Sequence, residues 1–167
     1  MIITLKEYEN GGKIEVYEIV NQTTSDFNRV FACCDYFAKQ GKKTLIMPHF
    51  HVTISNADYR KIYDFLKDTT YWGRCPDFLV DGVWYEHEGY EEDKDLSDRR
   101  KRADTFSEMM TRGIRQSDRI IVEDCGVGRY YAKRNIYNRI HFEHQNITEV
   151  YIRTSESLEP LYIKGEG

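Results

Sequence analysis

The stretch from Cys75 to Asp95, CPDFLVDGVWYEHEGYEEDKD, largely determines the fold and raises the first question about function. Two apolar triplets, residues 78–80 and 83–85, flank Asp81-Gly82, the dipeptide that most readily supplies the positive φ angles of a type I′ turn. The stretch therefore predicts a β-hairpin that belongs in a core. Its second strand nevertheless continues into Glu86-His87-Glu88 and an acidic segment. This charge needs an explanation, because unpaired buried carboxylates are strongly destabilising.

Length and composition describe a globular chain. With 167 residues, 40% hydrophobic and 14% aromatic, it is predicted to form one domain with a core that needs no disulfides. No apolar run is as long as a signal-peptide core or a membrane span, so we expect a cytoplasmic protein without membrane contact. The four cysteines form no Cys-x-x-Cys pair, and we expect buried, reduced thiols.

Hydrophobic periodicity predicts short strands that alternate with helices. Beyond the hairpin, strands are predicted at residues 14–20, 44–47, 120–122, 148–152 and 161–163. Helices are predicted at residues 25–40, 56–67, 102–114 and 129–140. The predicted fold class is therefore α/β (α+β), a single domain with a mixed β-sheet, a central hairpin and about four helices.

Charge is divided along the chain. Seven acids against one lysine give residues 86–98 a net charge of −6, whereas eleven Lys and Arg against five acids give residues 99–139 a net charge of +6. Residues 89–101 have little to bury, and we predict a charged mobile loop there. The basic block either binds phosphates, with exposed tyrosines that stack on unpaired bases, or is a set of solvated helix faces. The candidate nucleic-acid-binding residues are Arg112, Arg115, Gln116, Lys133, Arg134 and Arg139.

Two segments resemble one family of nucleases. The run from Cys75 to Glu86, and the run Gly113-Ile114-Arg115-Gln116-Ser117-Asp118-Arg119 that opens the strand at residues 120–122, look like the C-terminal tRNase domain of contact-dependent inhibition (CdiA-like) toxins. That domain belongs with the barnase, EndoU, colicin and RelE type nucleases. Residues 146–152, and residues 37–41 together with 45–48, continue the likeness.

The resemblance implies a single nuclease-like domain over residues 1–167 that cleaves RNA, often tRNA, without a metal or other cofactor. Such chemistry needs a base for the 2′-hydroxyl proton, a cation for the phosphate and an acid for the leaving oxygen. It also implies RNA and an immunity or regulatory protein as partners. The chain departs from the family because Glu86-His87-Glu88 stands where relatives have Glu-x-Lys. The candidate catalytic residues are Glu86, His87, Glu88 and His141.

Two alternatives remain open at the sequence level. Asp77 followed by Glu86 and Glu88 resembles the PD-(D/E)xK nucleases, in which acidic residues hold Mg²⁺, although the lysine is missing here. The chain could also be a non-catalytic binding module of a mobile element. For the acidic strand end, we expect Glu86 and Glu88 either at the mouth of a cleft opposite Arg112, Arg115 and Gln116, or facing solvent on an edge strand.

Overall fold

The computed structural model describes residues 1–155 and 157–166 and confirms a mixed α/β fold class. The chain divides into two compact units, residues 1–85 (unit 1) and 86–167 (unit 2). Eight strands follow one another in chain order in a mixed sheet. The strands are β1 (Ile2–Glu7), β2 (Lys13–Tyr17), β3 (Lys43–Ile46), β4 (Phe78–Val80), β5 (Val83–Glu88), β6 (Arg119–Glu123), β7 (Glu149–Arg153) and β8 (Leu158–Ile163). The α-helices of the described residues are α1 (Ser25–Ala38), α2 (Ala57–Ile62), α3 (Arg99–Gly113) and α4 (Arg129–His141).

The predicted hairpin is confirmed in unit 1. Asp81 and Gly82 have φ angles of 48° and 83°, as a type I′ turn requires, and Leu79 lies opposite Trp84. Phe78 and Val80 are buried while Leu79 is half-buried, which is the predicted alternation. The hairpin therefore has the register that the Asp-Gly turn imposes.

Helix α1 packs on the sheet of unit 1. The Thr24 side chain caps its first turn by accepting a hydrogen bond from the backbone N–H of Phe27. The apolar side of the helix buries Phe37, whose ring lies 6.3 Å from that of Phe78 and 5.2 Å from that of Tyr85. In the sheet beneath it, β1 and β2 are antiparallel, β2 and β3 are parallel, and β3 and β4 are antiparallel.

Unit 2 begins within β5 and contains three adjacent strands that pair in parallel. Residues 86–88 of β5 pair in parallel with β6, β6 pairs in parallel with β7, and β7 pairs antiparallel with β8. Helices α3 and α4 bury one side against these strands. The core residues they share with the strands include Phe106, Met109, Met110, Ile120, Val122, Ala132, Ile136, Val150 and Ile152.

Several predicted boundaries differ from the structure. Strand β1 was not predicted, because almost all of its residues are exposed and show no alternation. Helix α3 begins at Arg99, three residues before the predicted start, because the Asp98 side chain accepts a hydrogen bond from the backbone N–H of Lys101 and caps it. Residues 99–101 are thus helical. The segment before them is attached to unit 2 by Tyr90 and Leu96, which pack against its core.

The cysteine prediction is confirmed. Cys33, Cys34, Cys75 and Cys125 are all buried, free thiols. Burial raises the pKa of the Cys34, Cys75 and Cys125 thiols above the ordinary value. These thiols therefore act as small core residues and are poor nucleophiles.

Candidate functional site

The carboxyl end of β5 is buried. Glu86 and His87 expose 6% and 8% of their surface, and Glu88 is half-buried. The expectations that Glu86 lies at the mouth of a cleft or faces solvent on an edge strand are therefore wrong. The physical reason is that residues 86–88 hydrogen-bond along β6, so that β5 continues inward beyond the hairpin instead of ending at a surface.

His87 belongs to a charged network that crosses three parallel strands. Its Nε2 lies 3.0 Å from Oε2 of Glu123 on β6, and Arg153 on β7 donates to both carboxylate oxygens of Glu123 at 2.5 and 2.6 Å. Glu123 and Arg153 are register partners, which brings the ion pair together. Burial would raise the pKa of Glu123, but the hydrogen bonds from His87 and Arg153 lower that pKa to about 2. This network holds charge inside the sheet of unit 2 with its polar atoms satisfied.

Glu88 points to the other side of β5, where it meets α3. Nε of Arg112 lies 3.1 Å from Oε2 of Glu88, and the same guanidinium donates to the carbonyl of Gly89 at 2.9 Å. The predicted proximity of Glu88 and Arg112 is confirmed. Gly113 permits the approach, because a Cβ there would lie 2.8 Å from Ile120 and 3.4 Å from Glu88. The end of α3 can therefore press against β5 and β6.

A pocket lies on the exposed side of α3. Its volume is about 390 Å³. Both Arg112 and Arg115 line it. Its lining residues recur at three- and four-residue spacing, which places them on one helix face. They are Asp104, Ser107, Glu108, Thr111, Arg112 and Arg115.

Arg139 lies between α3 and α4 and is only 7% exposed. Its guanidinium donates to the carbonyl and hydroxyl oxygens of Ser107, both at 3.0 Å, and to Thr111 Oγ1 at 3.1 Å. It also donates to the side chains of Asn135 and Gln145. Burial lowers the pKa of this guanidinium below its ordinary value. Arg139 therefore holds the two helices together and is not part of the exposed basic face.

Helix α4 presents an exposed face of aromatic and cationic side chains. Tyr130, Arg134, Tyr137 and His141 follow at spacings of four, three and four residues and are all exposed, with Lys133 beside them. The Tyr137 ring centroid lies 4.1 Å from that of His141, with the two planes inclined by 36°. We call Tyr130, Lys133, Arg134, Tyr137 and His141 the α4 face.

The structure thus separates the predicted site residues into distinct places. Among the candidate catalytic residues, Glu86 and His87 are buried at β5, Glu88 is bound to Arg112, and His141 ends the α4 face. Among the candidate nucleic-acid-binding residues, Arg112 and Arg115 line the pocket on α3, Lys133 and Arg134 belong to the α4 face, and Gln116 is half-buried just beyond α3.

Two residues that the sequence did not reveal complete the buried network, namely Glu123 and Arg153. Each is the charged last residue of an apolar strand, as Glu88 is of β5, and this shared pattern was the available signal. The PD-(D/E)xK alternative has no preformed ligand set, since residues 1–155 and 157–166 contain no group of three or more His, Cys, Asp or Glu placed to hold a metal ion. Within the same ranges, the helices are too short or too polar to cross a membrane.

Comparisons with known proteins give one structural similarity. No protein-family profile matches the sequence. No curated protein sequence matches it either. Among solved structures, a chain described as "CdiA-CT/CdiI toxin and immunity complex from Burkholderia pseudomallei" is similar over 81% of this chain and 83% of that chain, with 14% sequence identity and a TM-score of 0.42. At this TM-score the similarity carries no argument about function, so the function has to be argued from the residues themselves.

Proposed function

We propose that this chain is an RNA-binding, toxin-like ribonuclease domain that acts on tRNA by metal-independent cleavage. The observation that supports RNA binding is the α4 face. Tyr130 and Tyr137 expose 78% and 54% of their surface, and tyrosine is enriched where proteins bind partners because it presents an apolar ring with a polar end. Aromatic rings alternating with cations suit unpaired RNA, because bases stack on the rings and phosphates pair with Arg and Lys.

The proposed cleavage step uses the same face. His141 is an imidazole beside Tyr137 and two helical turns from Arg134, so a base stacked on Tyr137 would place its ribose near His141. In the proposed step, His141 removes the 2′-hydroxyl proton and the 2′-oxygen attacks the adjacent phosphorus, while the 5′-oxygen leaves and takes up a proton from solvent water. Arg134 stabilises the charge that develops on the phosphate. The products are a 2′,3′-cyclic phosphate and a 5′-hydroxyl.

The binding part of the proposal is tested by fluorescence anisotropy with labelled tRNA. Each stacked base contributes about 1–3 kcal/mol, so Tyr137→Ala should weaken binding by roughly 5- to 150-fold. Arg134→Ala should weaken binding and also reduce its dependence on salt. Lys61→Ala, which removes an exposed lysine from α2 of unit 1, is the matched control and should leave the affinity unchanged. Equal effects of Lys61→Ala and Arg134→Ala would show that the α4 face is not the binding surface.

The cleavage part is tested by incubating the pure protein with total tRNA, once with EDTA and once with Mg²⁺. Cuts in EDTA that leave 2′,3′-cyclic phosphate ends support the proposal. His141→Asn should abolish these cuts, whereas His144→Asn, at an exposed histidine three residues away, should leave them intact. Cuts that need Mg²⁺ would favour the PD-(D/E)xK alternative, and a gel shift without any cut would favour a non-catalytic binding module.

The proposal also includes an immunity or regulatory protein as a partner. A partner that inhibits the activity should cover the α4 face, so it should compete with tRNA in the same anisotropy measurement.

A further inference from the structure

The pocket on α3 combines opposite charges in a fixed order. Asp104 and Glu108 lie in its first half, and Arg112 and Arg115 lie in its second half. Glu108 and Arg112 are one helical turn apart, or about 6 Å along the axis. The pocket has a volume of about 390 Å³ and is largely open to solvent. An occupant of this pocket must therefore offer a hydrogen-bond donor next to an anion.

Arg139 hydrogen-bonds two residues of the pocket lining, Ser107 and Thr111. Because the buried guanidinium donates to the hydroxyl oxygens of both Ser107 and Thr111, it sets the orientation of two polar groups in the lining. Thr111 Oγ1 in turn donates to the carbonyl of Ser107 at 2.9 Å. Because the Ser107 hydroxyl oxygen accepts from Arg139, its own hydrogen is directed away from Arg139. Ser107 can then donate to a ligand oxygen, as the two arginines of the lining can.

We propose that this pocket binds the ribose-phosphate backbone of RNA and discriminates against DNA. Arg112 and Arg115 bind a phosphate, and the Glu108 carboxylate accepts a hydrogen bond from the adjacent ribose 2′-hydroxyl. In RNA these two groups are neighbours, joined through C2′, C3′ and the 3′ ester oxygen. The inference rests on the proposed function in that it takes RNA as the ligand, but it concerns a different face from the α4 face.

The pocket discriminates between RNA and DNA because a carboxylate repels a neighbouring phosphate unless a hydrogen-bond donor lies between them. Without a donor between them, Glu108 and Asp104 repel an anion bound at Arg112 and Arg115. The 2′-hydroxyl supplies that donor, whereas the 2′-position of DNA carries only hydrogen. Lys94, whose Nζ lies 3.1 Å from Oε2 of Glu108, holds the carboxylate in place. Because Lys94 already pairs with Oε2, the 2′-hydroxyl donates to Oε1 of Glu108, whereas DNA lacks this donor and meets only the repulsion of the carboxylate.

The test compares the affinities of the intact protein for three single-stranded oligonucleotides of one sequence, with ribose, deoxyribose and 2′-O-methyl ribose. Wild type should bind the ribose form roughly tenfold more tightly than the other two, as expected for one hydrogen bond to a charged group. Glu108→Gln should reduce this preference to about twofold or less, mainly by improving the binding of DNA. Glu92→Gln, which removes a carboxylate from the exposed segment before α3, should preserve the preference.

The possible outcomes separate this inference from the proposed function. An unchanged preference in Glu108→Gln, or an equal change in Glu92→Gln, overturns the α3 pocket while RNA binding through the α4 face stands. If wild type binds all three oligonucleotides equally and Tyr137→Ala binds them more weakly, the α3 pocket is also overturned and RNA binding through the α4 face also stands. If wild type binds none of them at low salt, the proposed function fails and the inference fails with it. Circular dichroism of each variant confirms that the fold is retained.

Discussion

The two units differ in which polar side chains they bury and in which large apolar side chains they expose. Among the described residues, the buried polar side chains of unit 1 are limited to Thr44, whereas unit 2 buries Glu86, His87, Glu123 and Arg139. The exposed large apolar residues of unit 1 are aliphatic, such as Ile19, Val52 and Ile54, whereas those of unit 2 are the aromatic residues Tyr130, Tyr131, Tyr137 and Phe142. Folding alone explains the pattern of unit 1. The pattern of unit 2 requires a further reason, and the proposed binding to RNA would supply one.

The largest expected effect is a difference in the free energy of unfolding between two substitutions, one of an aromatic residue in the core and one of an aromatic residue on the α4 face. Phe37→Ala in α1 removes a ring that is 4% exposed and should lower the free energy of unfolding by about 3–5 kcal/mol. Tyr137→Ala in α4 should change it by about 0.5 kcal/mol or less. Urea denaturation followed by circular dichroism measures both. A comparable loss in Tyr137→Ala would mean that the α4 face belongs to the core, and the contrast between the units would disappear.

The second prediction concerns the charge buried in the sheet of unit 2. Glu123→Gln breaks the ion pair with Arg153 and the contact with His87, and should lower the free energy of unfolding by about 3 kcal/mol. Because the pKa of Glu123 is depressed to about 2 from the usual 4.5, its contribution is fully present above about pH 5 and is lost as the pH falls towards 2. Wild type should therefore lose stability over that range more steeply than Glu123→Gln. Parallel profiles for the two proteins would contradict the network.

The third prediction tests whether Arg139 is structural. Arg139→Met keeps most of the side-chain volume but removes the donors to Ser107 and Thr111, so unfolding should become easier by about 1–3 kcal/mol. Because these partners are neutral, the loss should be nearly the same at low and at high salt. Arg115→Met on the exposed side of α3 is the control and should have little effect on stability. A loss that disappears in high salt would indicate an ion pair instead.

The sequence predicted local structure well wherever a short-range rule applied. The Asp81-Gly82 turn determined the hairpin and its register, and the hydrophobic periodicity that predicted a helix at residues 25–40 located α1, which spans Ser25–Ala38. The start of α3 was missed because the charged run Arg99-Arg100-Lys101 was assigned to a solvated loop, although Asp98 is a suitable N-cap. Strand β1 was missed because exposure on both faces removes the alternation that identifies a strand.

The site was less predictable because it depends on long-range register. His87 and Glu123 are 36 residues apart, and only the parallel pairing of β5 with β6 makes them neighbours. Because of its charge, Arg139 was predicted to be a nucleic-acid-binding residue of the basic block, but it is buried. Its spacing of three and seven residues from the buried positions Ile136 and Ala132 nevertheless placed it on the inner side of α4. The pairing of Glu88 with Arg112 was predicted because a half-buried carboxylate needs a nearby cation.

The smallest expected effect concerns Glu88. Its carboxylate pairs with Arg112, which the proposed RNA ligand would also contact. Nearly half of the Arg112 side chain is exposed, and such a pair contributes only about 0.2–1 kcal/mol. Glu88→Gln keeps the size of the side chain but removes the charge, so Arg112 becomes available and RNA affinity should rise by up to about fivefold at low salt. Glu88→Lys adds a cation as well and should raise affinity at least as much.

Salt distinguishes this local competition from a general change in charge. The Debye length is about 10 Å at 0.1 M salt and 3 Å at 1 M, so the advantage of Glu88→Gln should shrink as salt is added. Glu91→Gln removes the same charge from an exposed position without releasing an arginine, and should raise the affinity much less. Because phosphate must displace Glu88 from Arg112, wild type should also bind inorganic phosphate more weakly than Glu88→Gln does. Equal affinities of the two proteins for both phosphate and RNA would show that Glu88 does not compete for this arginine, and that the acidic end of β5 only fixes the position of α3.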